Sequence, residues 1–131
     1  MTTPRVHGIP NCDQVRQARR WLSSHGVAFD FIDLRNAPPN EAQLLEWLKH
    51  IPHDSLLNRR GLTWRRLPEP TRQGVVDQTT ALELLLQHPL LLKRPILEWG
   101  EQLAVGFSEP LYESLLTCRP PTPEPLPSPE N

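Results

Sequence analysis

Cysteine is scarce in this sequence: Cys12 and Cys118 are the only two, and they lie too far apart to form any metal-spacing motif. In a reducing compartment no permanent disulfide is expected between them, so Cys12 has to be judged as a free thiol. His25, His50, His53 and His88 show no ligand spacing either, and no metal site is expected. Long apolar runs are missing too. Leu84-Leu85-Leu86 and Leu90-Leu91-Leu92 fall far short of the roughly 20 residues that span a bilayer, so a soluble protein is expected. Met1-Thr2-Thr3-Pro4-Arg5 does not lead from a basic segment into an apolar one; no secretory signal is expected, and the cytoplasm is the expected location. The formal net charge is only −1, which gives no general pull toward nucleic acid or anionic lipid.

What is present fits one folding unit. At 131 residues and 37% hydrophobic content, a single core is expected. Six of the thirteen residues from Arg119 to Asn131 are proline, interrupted by one apolar residue, Leu126, so that stretch cannot supply a packed element. The sequence divides into a domain over 1–117 and a Pro-rich, disordered tail over 118–131. Within the domain, Arg5-Val6-His7-Gly8-Ile9 reads as a strand and Pro10-Asn11 as a turn. A helix follows from Asp13 to His25 with Val15, Ala18, Trp21 and Leu22 on one face, and Gly26 is its stop. Val27, Phe29 and Phe31 alternate as in a strand with one buried face, which completes a parallel β-α-β unit.

Asn40 and Gln43 form a capping-box pattern for a second helix, whose buried stripe is expected to be Leu44, Leu45, Leu48 and Ile51. After a polar, arginine-rich middle, Thr80 to His88 reads as another helix stopped by Pro89. Ile96-Leu97-Glu98-Trp99 and Gln102-Leu103-Ala104-Val105-Gly106 flank Gly100-Glu101 as a β-hairpin, and Glu109 to Leu116 is the last helix. The expected fold is α/β: a small mixed sheet of two parallel strands plus a C-terminal hairpin, with helices on both faces.

Cys12 stands where the first strand's loop enters the helix. There the unpaired backbone N–H groups and the helix dipole favour the thiolate, which is the nucleophilic form. The opposing reading, a small buried apolar cysteine, is the usual fate of a lone thiol. Asn11 is placed either to cap that helix or to orient a substrate, capping being the expected role. Asp13 is expected to complement the helix dipole. Arg59, Arg60, Arg65 and Arg66 could form a solvated basic loop or, with Trp64, a nucleic-acid patch; near-zero net charge favours the first, with Trp64 packed inward. Position 15, which would hold the resolving thiol of a C-x-x-C motif, is Val15, so any thiol chemistry must be monothiol. Cys118, beside the tail, is expected to be a bystander.

Gly8-Ile9-Pro10-Asn11-Cys12-Asp13, with Ala18-Arg19-Arg20-Trp21-Leu22, resembles the opening of the arsenate reductase (ArsC) family. Leu56 to Arg65, Leu92-Lys93-Arg94-Pro95-Ile96-Leu97 and Val105-Gly106-Phe107-Ser108 resemble its later blocks in order and spacing, so the likeness covers nearly the whole domain. It is most similar to the YffB subgroup, regarded as glutathione-dependent thiol reductases. The resemblance implies a thioredoxin-like fold with a helical insertion and makes Cys12 the nucleophile toward an oxyanion or a disulfide. It implies that Arg60 and Arg94 bind the oxyanion, that Arg16 is a further family cation, and that Pro95 is the cis-proline shaping the site. Guanidinium forks suit tetrahedral oxyanions and carboxylates, and their charge favours a thiolate. No tightly bound cofactor is implied; glutathione is the co-substrate, with glutaredoxin as the other candidate partner.

The chain departs from the arsenate reductases at two positions, having Gly8 where they carry a histidine four residues before the cysteine, and Phe107 where they carry a third arginine. Both argue against arsenate as the physiological substrate. His7 is one residue away from the missing histidine, and in a strand that offset points its side chain to the opposite face. The alternative is an Spx-like regulator that contacts RNA polymerase; such regulators commonly carry a C-x-x-C switch, which Val15 removes.

Overall fold

In the computed structural model, which describes residues 3–117, the alternating and 3.6-residue apolar patterns become a four-stranded mixed sheet with helices on both faces. Strand β1 (Arg5–Gly8) leads into helix α1 (Asp13–Ser24) and then β2 (Asp30–Asp33), which pairs parallel to β1 with Val6 opposite Phe31. Helices α2 (Glu41–Leu48), α3 (His53–Leu56), α4 (Leu62–Arg65), α5 (Glu69–Gln73) and α6 (Gln78–Gln87) follow. A 3₁₀ turn at Pro89–Leu91 then leads to β3 (Ile96–Trp99), β4 (Gln102–Val105) and α7 (Glu109–Thr117). The spatial order is β2-β1-β3-β4, with β3 antiparallel to both β1 and β4. This is the thioredoxin-like arrangement, with α3, α4 and α5 as the helical insertion. The expected tail over 118–131, with Cys118, lies outside the described residues.

One face of the sheet carries Val6, Leu97, Trp99 and Ala104, covered by Ala18, Trp21 and Leu22 of α1 and by Tyr112 and Leu115 of α7. Phe29 and Phe31 of the second strand region pack against the same cluster. The other face carries Ile96, covered by Leu44, Trp47 and Leu48 of α2 and by Leu82, Leu84 and Leu85 of α6. The sequence expectation for α1 holds residue for residue, since its buried side chains are Val15, Ala18, Trp21 and Leu22. Asn40 caps α2 with the expected box, accepting the Gln43 N–H at 2.9 Å. The hairpin turns at Gly100-Glu101 with Gly100 at φ 64°, a left-handed conformation that glycine adopts without steric penalty.

One expectation is corrected. Leu45 is 40% exposed, and Trp47 takes its place in the buried stripe of α2. Position 47 shares a helix face with Leu44, three residues away, whereas position 45 is rotated off it. The arginine-rich middle, where the sequence pattern assigned no element and the resemblance implied a helical insertion, holds three helices of four or five residues, each too short to display a periodic pattern. Trp64 packs inward against the α2–α6 cluster as expected.

Beneath α2 lies a polar group within the apolar face. His7 is 2% exposed; its Nε2–H donates to Glu98 Oε1 at 2.7 Å, and the Trp47 indole N–H donates to Glu98 Oε2 at 2.8 Å. The Arg5 guanidinium lies 3.8 Å from the same carboxylate. The hydrogen bond from His7, helped by Trp47 and by the charge of Arg5, holds the Glu98 carboxyl below the usual glutamate range against the opposing effect of burial. A carboxyl lowered in the folded state contributes stability above its unfolded pKa of about 4.3, and that contribution is lost as pH falls through the folded value. Glu98→Gln keeps an oxygen for Trp47 and removes the charge. It should lower stability by about 1–2 kcal/mol at pH 7, with the gap to wild type closing below pH about 4. Urea midpoints of the two proteins at both pH values check this; a gap independent of pH would show that the charge contributes nothing. Among the described residues no helix is long and apolar enough to cross a membrane.

Candidate active site

The chain turns sharply at Pro10-Asn11, where the Cys12 N–H reaches back to the Ile9 carbonyl at 3.4 Å, and then enters α1. Cys12 itself is the N-cap residue, with extended backbone (φ −102°, ψ 129°), and its carbonyl accepts the first helical N–H from Arg16 at 2.9 Å. Its side chain makes no capping bond, so the sulfur is left free, and the residue is partly exposed. The buried-cysteine reading is thereby excluded. Asn11, expected as the cap, stands one residue too early, exposed in the turn.

Cys12 opens into a cleft of about 640 Å³ between the N-terminus of α1, the loop after α3 and the segment before β3. Asn58, Arg60, Lys93 and Arg94 line it, together with the paired Asp54 and Arg59. The last two elements are sewn together by a bridge between Leu57 and Leu92, by the Asn58 N–H donating to the Leu91 carbonyl (2.7 Å) and by the Lys93 N–H donating to the Leu56 carbonyl (2.9 Å). The Arg60 N–H is held by Asn58 Oδ1 at 3.0 Å. Arg94 is half-buried, and its Nη1–H donates to the Leu90 carbonyl at 2.7 Å, while its Nε–H is buried with no partner among the described residues. The Arg94–Pro95 peptide is cis.

Charge in the cleft is unbalanced. Asp13 pairs with Arg16, one turn along α1, and Asp54 pairs with Arg59 at 2.9 Å. Among the described residues the side chains of Arg60 and Lys93 have no ion-pair partner, and Arg94 bonds only to a neutral carbonyl. Three uncompensated cations therefore share the cleft with one thiol, an arrangement that can hold an anionic ligand. Among the described residues no group of three or more His, Cys, Asp or Glu side chains is placed to hold a metal ion.

Of the residues singled out in the sequence, Cys12, Arg60 and Arg94 line the same cleft, although 82 positions separate the first from the last. Arg16, Asn11 and Pro95 are not among the lining residues; the Arg16 guanidinium is engaged by Asp13. Sequence reasoning passed over Lys93, the neighbour of a residue it chose, and Gln14, whose Oε1 accepts the Phe107 N–H at 3.2 Å and ties α1 to the loop after β4.

The two departures noted in the sequence have structural causes. A Cβ built on Gly8 would lie 2.6 Å from Val15 Cγ2, so the fully buried valine occupies the space a side chain at position 8 would need. Phe107 turns away from the cleft and packs its ring on Tyr112, 4.8 Å between centroids. His7 faces Glu98 and Trp47 on the far side of the sheet.

The ArsC family model matches residues 7–115 of this chain. An uncharacterized protein of Haemophilus influenzae is 36% identical over 109 residues, which span 83% of this chain and 95% of its own length. Among solved structures, the protein called YFFB is 37% identical with a TM-score of 0.81, covering 86% of this chain and 97% of its own. An arsenate reductase (ArsC) related protein of Brucella melitensis is 40% identical with a TM-score of 0.68, covering 88% of this chain and 95% of its own.

Proposed function

This chain belongs to the ArsC family, and from that premise we propose that it is a monothiol reductase in which the Cys12 thiolate attacks a disulfide or oxyanion substrate and glutathione, or a glutaredoxin, completes the cycle. The observation that carries this reading is the free, partly exposed sulfur of Cys12 at the start of a twelve-residue helix, opening into a cleft that also holds the unneutralised Arg60, Lys93 and Arg94. The helix N-terminus and the three cations act in the same direction, since each offers positive charge to an anionic group brought to the sulfur.

For a disulfide substrate the steps balance as thiol–disulfide exchange. The Cys12 sulfur bonds to one substrate sulfur as the S–S bond breaks, and the other half leaves as a thiolate that takes a proton from water. A glutathione thiolate then attacks the mixed disulfide and releases either Cys12 or the bound thiol; a second glutathione finishes the exchange. Each turnover reduces one disulfide and oxidises two glutathione molecules. Because the helix position that could hold a resolving thiol is the buried Val15, Cys12 relies on a thiol from outside α1.

The test is incubation of the full chain with oxidised glutathione, followed by peptide mapping by mass spectrometry, with turnover of bis(2-hydroxyethyl) disulfide by glutathione measured in parallel. A glutathione adduct on the Cys12 peptide together with turnover is the expected result. A Cys12 thiol that stays unmodified while a small alkylating reagent reacts with it would overturn the glutathione-coupled mechanism.

A further inference from the structure

The cleft beside Cys12 has more room and more positive charge than an inorganic oxyanion requires. At about 640 Å³ it lies within the roughly 300–1,000 Å³ typical of sites for small organic ligands. Arg94 is already oriented by the Leu90 carbonyl, and Arg60 is fixed at its backbone by Asn58. Lys93 is a different kind of group. It is half-buried, its backbone is pinned to Leu56, and its ammonium has no partner among the described residues. An ammonium is a compact point charge on a flexible stem, suited to the trailing charge of an organic substrate rather than to forked clamping of an oxyanion. Among the described residues the acids lining the cleft, Asp13 and Asp54, are each occupied by an arginine.

We propose that Lys93 is a specificity-determining residue that receives a carboxylate of the disulfide substrate while the S–S bond is exchanged at Cys12. This rests on the thiol-reductase reading above and adds the substrate class: small disulfides bearing a carboxylate. The chemical step is unchanged, with Cys12 sulfur displacing one half of the substrate as a thiolate. Lys93 takes no part in bond making and acts by charge on the part of the substrate away from sulfur.

Three disulfides with the same two-carbon arms test it: 3,3′-dithiodipropionate (anionic), bis(2-hydroxyethyl) disulfide (neutral) and cystamine (cationic). Mixed-disulfide formation on Cys12 is followed by mass spectrometry, each rate being divided by that of free cysteine with the same probe at the same ionic strength. Wild type should prefer the anionic probe over the neutral one, and the cationic probe should be slowest. Lys93→Gln should reduce the anionic-to-neutral ratio about fivefold, the size of one partly exposed charge pair, and Lys93→Arg should keep most of it. A ratio unchanged in Lys93→Gln, even with both rates lowered equally, would overturn the assignment and leave the thiol chemistry standing. If wild type reacts with none of the three probes, the thiol-reductase reading itself falls and takes this inference with it.

Discussion

Serine in place of Cys12 should yield a protein that forms no mixed disulfide and yet unfolds at a higher temperature than wild type. Reactivity is lost because a serine hydroxyl is not ionised at neutral pH, whereas exchange requires the sulfur anion. Stability rises because Cys12 occupies the N-cap with the extended backbone that position needs but makes no side-chain bond to the helix. Serine is among the best N-cap residues, and its oxygen can accept the free N–H of Gln14 or Val15, worth about 1 kcal/mol. For a domain of this size that is a rise of several degrees in Tm. Cys12→Ala, which also lacks a nucleophile and cannot cap, should be inactive without the gain. Thermal unfolding of the three proteins separates the effects, and a serine variant no more stable than the alanine one would mean that the N-cap geometry is not what leaves the sulfur free. Retaining a poor capping residue there is the pattern expected when a site is kept for chemistry at some expense of stability.

A methyl group at position 8 should be nearly as disruptive to the fold as loss of sulfur is to the chemistry. Gly8→Ala places a Cβ 2.6 Å from Val15 Cγ2, well inside contact distance, in a strand and helix whose inward-facing Val6, Val15, Ala18 and Leu22 are packed at zero exposure. Overpacking of this kind costs about 1–3 kcal/mol. Val15→Ala alone removes buried methyl groups and destabilises by a comparable amount through the space it leaves. Together they should compensate, the double variant being more stable than the sum of the single effects predicts by about 1 kcal/mol or more. A cycle of urea denaturation over the four proteins measures this, and additive values would mean that the strand and helix separate to accommodate the methyl group. The same contact couples positions 8 and 15. Val15, at the position where a C-x-x-C motif would hold its second thiol, fills the space above Gly8, where the arsenate reductases carry a histidine, so introducing the histidine would require changing position 15 as well.

The parts of the fold legible from sequence are those whose information is local. The α1 face could be read because four apolar residues recur at helical spacing, and the hairpin because two β-prone runs flank Gly100-Glu101. The Asn40 cap has its partner three residues away. Asp77 caps α6 in the same way with Thr80, a local signal that was present in the sequence while the helix was read as beginning at Thr80 itself. Trp47 could be expected in the core or at its rim, as it is found, but its hydrogen-bond partner was not legible: the carboxylate lies 51 residues later on β3, and nothing in the α2 sequence announces Glu98. The site divides along the same line. Cys12 can be located by its place between strand and helix, and Arg60 and Arg94 came only through resemblance to a family. Lys93 gave no signal of its own, because a lysine beside an arginine in a polar segment looks like any solvated pair until the chain is folded.

The seam between Leu57 and Leu92 joins the helical insertion to the approach to β3 through two backbone hydrogen bonds, and the residues that carry Arg60 and Lys93 lie directly beyond it on either side. On the proposed function, its consequence is a receptor assembled before any guest arrives. Association then loses none of the free energy that ordering a loose loop would consume, and departure of the product leaves the backbone that supports the charges where it was, ready for the next molecule.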